Sequence, residues 1–547
     1  MHSEPQVHHQ PNAPICLHTL LHHRKTIILS LYIIVNYYSN VQYLKLGEWQ
    51  LMENLESKQV HFVLFPFMAQ GHMIPMMDIA KLLAKRGVVI TVITTPVNAA
   101  RFKSSLARAQ ESGLAIRIVE LQFPCEESGL PKGCENVDLL PSSGTKSIYF
   151  FTATGRMQEQ VEVLFEELTP RPSCIISDMC LPYTLQIASK FNIPRISFHG
   201  TASFFLLCLH CVRINRDIIG SITSDSDRFT LPGFPDQIEF TKHQLPLSDK
   251  RSKEFFDQVI AADLASYGVI INSFEELEPE YYKEYKNTRG GKAWSVGPVS
   301  LCNKEILDKA QRGNDSSISE HKCLSWLDEQ EPKSVVYVCL GSLCNLPTEQ
   351  MIELGLGLEE SNRPFLWVIR QNDKSKELEN WISETGFDQR IKKNNNRNGF
   401  LIHGFAPQVL ILSHPAIGGF LTHCGWNSTL EGLASGVPMI TWPLFGDQFC
   451  NEKVVVEVAK TGVRVGVECP VIWGEEDKYG VVVKKEEVKK AMENLMDEED
   501  DEARARRERA EEIASMARAA VEEGGSSYLN IGLLIEDIMQ LPHSYCK

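Results

Sequence analysis

Two residues far apart in the chain have the types and settings of an acid–base pair. His72 follows Gly71 where the apolar run Val60-His-Phe-Val-Leu-Phe65 gives way to helix signals. An imidazole there, with an ordinary pKa of ~6.5, can take a proton from an incoming hydroxyl near neutral pH. The competing role is a structural histidine bonded to a loop carbonyl. Asp178 follows another apolar run, Cys174-Ile-Ile-Ser177, so a parallel sheet would open both residues onto one edge. A carboxylate bonded to an imidazole fixes its tautomer and stabilises the imidazolium. Its competing role is the N-cap of a helix starting at Met179. No G-x-S-x-G nucleophile accompanies the pair, and a one-step displacement needs none.

A second constellation runs from Phe405 to Gln448 and reads as strand, loop, helix, strand. Ile417-Gly-Gly-Phe-Leu-Thr422 is an apolar run whose glycines let another backbone come close. His423-Cys-Gly-Trp426 is the turn. Asn427 and Ser428 offer N-cap side chains, and Ser428-Thr-Leu-Glu431 has the spacing of a capping box. Gly436-Val-Pro438 stops the helix and Met439-Ile-Thr-Trp442 resumes the extended run. A turn between a strand's end and a helix's start is where α/β folds hold anions. The stretch has no Lys or Arg, only His423 and His414 as potential cations, so countercharge for a phosphate is expected from backbone N–H groups, the helix dipole and a histidine.

These 44 residues resemble the donor-binding signature of plant family 1 UDP-glycosyltransferases. H-C-G-W-N-S, the glutamate three residues after that serine, G-V-P and the closing D-Q fall at the family's spacings, and the likeness runs from about Glu53 to the last helix. The resemblance implies that His72 is the base and Asp178 its orienting partner. It implies that Phe405, where the family usually has Trp, stacks on the uracil; the alternative is a core aromatic. Gln408 and Glu431 would bind the ribose, with the capping box as the rival role for Glu431. Ser342, His423, Asn427 and Ser428 would surround the diphosphate, although Ser342 alone is an ordinary turn serine. Trp426, Asp447 and Gln448 would read the sugar, and Ala406 and Gly425 belong to the same donor set. Gln448, where some relatives carry His, favours glucose over galactose.

The elements that must position these residues alternate as strand and helix. After the first strand, Pro75, Ile79, Leu82 and Leu83 mark a helix ended by Gly87, and Val88 to Ile93 is a second strand. Further strands are expected at 115–119, 174–177, 195–198 and 268–272, then, past a polar segment, at 334–340 and 364–369. Such alternation gives parallel sheets with right-handed crossovers. The family's architecture is GT-B, an α/β class with two Rossmann-like, doubly wound domains facing across a cleft. The expected division is an extension at 1–51, an acceptor-binding domain at 52–297, a linker at 298–322, a UDP-sugar-binding domain at 323–523, and a final helix at 524–547 packing back on the first domain.

Composition bounds the rest. At 547 residues, 43% hydrophobic and 23% charged, the chain has the make-up of a globular enzyme of at least two domains. A net charge of −15 argues against nucleic acid, which needs a basic face, and against anionic lipid. Fifteen cysteines, of which only Cys208 and Cys211 have C-x-x-C spacing, with no second such pair to accompany them, suggest neither a disulfide framework nor zinc. With no G-x-x-x-x-G-K-[ST] and no G-x-G-x-x-G, ATP and nicotinamide lack their phosphate loops. Asp225-Ser-Asp227 matches a metal-binding D-x-D but lies in a polar stretch read as a solvent loop. The run from Thr26 to Val35 is too short for a bilayer, which takes ~20 apolar residues. Met52 is the expected start of translation.

The expected protein is thus a cytoplasmic, monomeric, inverting glucosyltransferase. It needs no metal or cofactor, takes UDP-glucose as donor, and has a small apolar plant metabolite (flavonoid, hormone or triterpenoid) as acceptor. The alternative from another class is a sugar-nucleotide-binding module without turnover, for which only Phe405 speaks. A membrane-anchored lumenal transferase would depend wholly on residues 1–51.

Overall fold

A computed structural model describes residues 60–140, 147–245, 253–313, 320–371, 375–392 and 399–541. The expected extension at 1–51 and the expected start of translation at Met52 lie outside the described residues. β1 (His61–Phe65) is buried along its whole length, as a strand covered on both faces must be. α1 (Gln70–Ala84), β2 (Val89–Thr94), α2 (Pro96–Glu111) and β3 (Ile116–Glu120) follow. The chain then returns to the other side of β1 with β4 (Cys174–Asp178), β5 (Arg195–His199), α3 (Ser203–Ile214), β6 (Gly268–Ile271) and β7 (Ala293–Ser295). All seven strands are parallel, in the order β3-β2-β1-β4-β5-β6-β7.

The second half repeats the plan with β8 (Val335–Cys339), α4 (Thr348–Glu360), β9 (Phe365–Ile369), β10 (Gly399–His403), β11 (Ile417–Thr422), α5 (Trp426–Ala434), β12 (Met439–Thr441) and β13 (Gly462–Arg464). Their order is β10-β9-β8-β11-β12-β13, again all parallel. The close backbone approach expected at the glycine pair is present. A Cβ on Gly418 would overlap the Lys333 carbonyl, and the β8–β11 register slips there, Val335 facing Ile417 and Val336 facing Gly419. In each sheet the strand order reverses beside the first strand, between β1 and β4 and between β8 and β11. A crevice opens at such a point.

α6 (Lys485–Met496) packs its Val488, Met492 and Leu495 into the second core. α7 (Asp501–Val521) is rich in alternating charge, and α8 (Ser526–Met539) then lies on the first half. Ile531, Leu534 and Ile538 of α8 join the core formed by β1 and α1. Asp537 pairs with Lys292 at 2.6 Å and accepts from the Tyr267 hydroxyl at 2.7 Å. The segment between the halves is more structured than its polar sequence suggests. It holds a turn at Val299–Cys302 and a short helix at Ile306–Ala310, with Asn303 buried.

Candidate active site

His72 lies in the first turn of α1, directly beyond the C-terminal end of β1, and Asp178 is the last residue of β4, the neighbouring strand. Their side chains meet: His72 Nδ1 is 2.7 Å from Asp178 Oδ2, with the imidazole 35% exposed and the carboxylate fully buried. Asp178 Oδ1 accepts the Cys180 N–H at 2.9 Å. The capping role and the orienting role thus share one carboxylate, although the bonded turn does not start a helix at Met179. The helix after it begins at Thr184. Burial disfavours the imidazolium, but the charge and hydrogen bond of Asp178, with Asp447 adding, outweigh it and hold the His72 pKa above its ordinary value. The Phe67 ring packs edge-on to the imidazole at 5.3 Å between centroids.

Cys180 also stands near, so that donor atoms of His72, Asp178 and Cys180 lie within 4.8 Å of one another. Burial pushes the Cys180 thiol well up, which leaves it protonated and a poor metal ligand at neutral pH. The arrangement is that of a proton-accepting pair. Asp225 pairs with Lys242 and His243, each at 3.6 Å, in an exposed turn outside the cavity described next.

A cavity of about 860 Å³ separates the halves, and His72, Gly71 and Thr201 line it from one side. From the other side come Ser342, Phe405, Ala406 and Gln408, then His423, Gly425, Trp426, Asn427 and Ser428, then Glu431, Asp447 and Gln448. The volume is ample for a nucleotide sugar with part of an acceptor. Every expected site residue therefore borders one space except Asp178, which is buried behind His72 and reaches it only through that ring.

α5 starts earlier than its sequence suggested. Its N-cap is Gly425, without a side-chain cap, so the expected Ser428–Glu431 capping box does not form. Asn427 and Ser428 sit inside the first turn, where their side chains are released from capping. Asn427 crosses the cleft: its amide donates to the Gly71 carbonyl and its Oδ1 accepts from Asn272 Nδ2 at 3.3 Å. The sequence of α1 supplies that acceptor. Gly71 C=O would normally bond the N–H of residue 75, but residue 75 is proline and has none.

The His423 ring sits between two glycines, since a Cβ on either Gly341 or Gly425 would overlap it. Gly341 also has φ +81°, in the region that favours glycine. Burial lowers the His423 pKa to about 4, so the ring is neutral at pH 7, and its Nδ1 lacks a hydrogen-bond partner. The expected cationic role for His423 is therefore corrected to that of a neutral polar group. Trp426 is buried, 3% exposed, and donates its indole N–H to the Asn272 carbonyl at 2.6 Å. Asp447 Oδ2 accepts from Thr201 across the cleft and from Asn451, both at 2.9 Å. Gln448 Oε1 accepts the backbone N–H groups of Leu444 and Phe445, which leaves its NH2 as the end that can meet a ligand. Asp447 and His72 each influence the other's titration, so the expected sugar-reading carboxylate and the expected base face one point.

The cavity is not free of basic residues, contrary to expectation. Its walls include Arg101, Lys309, Arg312 and Arg370, all contributed by elements outside the 405–448 stretch. Arg101 grips Asp138 with two nitrogens at 2.8 and 2.9 Å. Arg370, just beyond β9, bonds Asn345 Oδ1 at 2.8 Å and reaches across to the Asp138 carbonyl at 3.2 Å. Arg312 pairs with Glu431 and with Asp78 of α1. Gln408 Nε2 donates to the other oxygen of Glu431 at 2.8 Å and to Ser428 at 3.1 Å. Arg312, Thr201 and Asn272 carry no motif that would have marked them in the sequence.

Two family models match the chain: "Glycosyltransferase, N-terminal domain" over residues 58–301 and "UDP-glucoronosyl and UDP-glucosyl transferase" over residues 318–495. UDP-glycosyltransferase 73C5 of Arabidopsis thaliana is 59% identical over 493 residues, which is 89% of this chain and 98% of the relative. UDP-glycosyltransferase 73C25 of Barbarea vulgaris is 59% identical over 494 residues, 90% of this chain and 99% of the relative. Among solved structures, Glycyrrhiza uralensis UGT73P12 with glycyrrhetinic acid 3-O-monoglucuronide aligns with a TM-score of 0.80 at 35% identity, covering 88% of this chain and 96% of that one. Medicago truncatula UGT71G1 with UDP-glucose aligns with a TM-score of 0.69 at 26% identity, covering 88% and 98%.

Proposed function

The chain belongs to the plant family 1 UDP-glycosyltransferases, with their GT-B fold, and from that premise we propose that it transfers glucose from UDP-glucose, with inversion, to a hydroxyl of a small apolar plant metabolite. The observation that carries the reading is the His72–Asp178 pair, bonded at 2.7 Å, opening into the same cavity as the N-terminus of α5. His72 removes the acceptor's proton as the oxygen attacks the anomeric carbon, and Asp178 holds the ring and stabilises the imidazolium. The C1–O bond to the diphosphate breaks on the opposite face. The leaving charge is met by the backbone dipoles of α5, by Asn427, Ser428 and Ser342, and by the neutral ring of His423. Fixed dipoles aimed at developing charge need no metal.

Asp447 and the NH2 of Gln448 give an acceptor and a donor suited to adjacent hydroxyls of glucose. A flavonoid, hormone or triterpenoid is the acceptor class. Among the described residues no helix is long and apolar enough to cross a membrane. A cytoplasmic, monomeric protein is part of the proposal; the net charge of −15 speaks against docking on anionic lipid. The test is UDP release from UDP-glucose with a panel of phenols and triterpenoids, products being read by mass spectrometry. Turnover that is unchanged in EDTA and yields a β-glucoside is expected. UDP binding without turnover on any acceptor would favour a non-catalytic sugar-nucleotide module, and an α-linked product would overturn the inverting step.

A further inference from the structure

The positive charge nearest the expected ribose site comes from the segment joining the two halves. Arg312 follows the short helix Ile306–Ala310 and is 9% exposed, yet it borders the cavity. Its Nη1 is 2.5 Å from Glu431 Oε1 on α5, and its Nη2 is 2.6 Å from Asp78 Oδ2 on α1. One guanidinium thus bridges the helix that carries His72 and the helix that begins at the diphosphate turn. Asp78 Oδ1 in turn accepts from Asn303 at 2.8 Å, and Asn303 Oδ1 accepts from Lys81 at 2.9 Å. Arg312 Nε is buried without a hydrogen-bond partner. α2 holds the segment in place: Arg108 donates to Asp308 at 2.8 Å, to Gln311 at 2.7 Å and to the Leu307 carbonyl at 3.3 Å.

Glu431 poses an electrostatic problem for a site that takes a nucleoside diphosphate. Its carboxylate is a buried negative charge in the wall of a cavity meant for an anion, and like charges repel strongly where water is scarce. Arg312 offsets that charge without consuming the group. A carboxylate offers about four acceptor positions, and Arg312 and Gln408 use one oxygen each, so ribose hydroxyls can still be bound. Burial opposes the guanidinium, but its two carboxylate partners outweigh burial and push its pKa up, so the charge is permanent.

We infer that Arg312 is a donor-positioning residue, which fixes and charge-balances Glu431 from the interlobe segment and so ties UDP-sugar affinity to how that segment is seated. This rests on the reading of the cavity as a UDP-sugar site. The test pairs calorimetric binding of UDP with initial-rate kinetics on UDP-glucose and a phenol, using the full chain. Arg312→Gln is expected to raise both the Kd for UDP and the KM for UDP-glucose about ten- to a hundredfold, with kcat within about threefold of the parent. Arg312→Lys should recover part of the loss. Arg108→Ala, outside the cavity, should raise KM about fivefold through the loosened segment.

If Arg312→Gln fails to fold, judged by circular dichroism, the double variant Asp78→Asn/Arg312→Gln removes one carboxylate with its cation and carries the same comparison. Unchanged Kd and KM, or a loss confined to kcat, would overturn the inference while leaving the glycosyltransferase reading intact. A parent protein that binds no UDP would overturn both.

Discussion

The two halves place their chemistry at the same architectural point and build it differently. In each sheet the site lies where the strand order reverses, at β1/β4 in one half and β8/β11 in the other. At the first point the proposed work falls to two side chains: an imidazole whose basicity is raised by a buried carboxylate 2.7 Å away. At the second the proposed grip is spread over backbone dipoles, neutral polar groups, a histidine kept uncharged by burial, and the Arg312–Glu431 ion pair at the cavity wall. Acid–base work needs a titrating group, whereas a ligand that must be released after each turnover is better held by many weak contacts. The comparison teaches that the halves should fail differently, one in kcat and the other in donor binding.

The sharpest way to break that contrast is His72→Ala. Loss of the base should lower kcat by about 10²–10⁴-fold while calorimetry finds UDP bound as before. If UDP affinity fell with turnover, the division of labour would be wrong. Asp178→Asn comes next, with kcat expected to fall on the order of 10²-fold and the pH profile to move. The base must be neutral to act, so activity in the parent falls as pH drops through a His72 pKa held above ~6.5. Removing the Asp178 charge takes away the largest contribution raising that pKa, so the acid limb should shift to lower pH. A limb that stays in place would assign it to another group.

On the donor side, Gly341→Ala and Gly425→Ala each push a methyl group into the His423 ring. Overpacking of this kind costs about 1–3 kcal/mol, so UDP affinity should fall roughly ten- to a hundredfold. Product formation at saturating donor should be far less affected. A variant with intact UDP affinity and depressed kcat would show that the ring serves the reaction more than the grip.

These sites were unequally legible in the sequence. β1, β4, β8 and β11 are short apolar runs bounded by polar turns, and the residues ending them follow from parallel topology alone. Topology thus put His72 and Asp178 on one edge, while their pairing was implied by the family resemblance and is met by the 2.7 Å contact. α5 was misjudged at its start because Ser428 and Glu431 have capping-box spacing, while the helix, with Trp426 bonded to the Asn272 carbonyl, is capped at Gly425, three residues sooner. Arg312 was invisible for a different reason. It sits in a polar segment without periodicity, and its partners Asp78 and Glu431 lie more than a hundred residues away on either side, brought together only by the closure of the halves. Local pattern reports local structure; a buried ion pair between distant segments leaves no trace in it.

The smallest expected effect concerns Phe405, which borders the cavity just after β10. The family signature usually opens with Trp, and the indole offers a wider face to a base than a phenyl ring does. Base–aromatic stacking is worth about 1–3 kcal/mol per base, and exchanging one aromatic face for a larger one should change only a fraction of that. Phe405→Trp is therefore expected to lower the KM for UDP-glucose about two- to fivefold without altering kcat, since the uracil lies far along the donor from the bond that breaks. Uridine nucleotides lacking the sugar should gain the same factor. If instead the substitution weakens UDP binding, Phe405 packs as part of the wall, the larger ring overfills it, and the uracil finds its stacking partner elsewhere in the cleft.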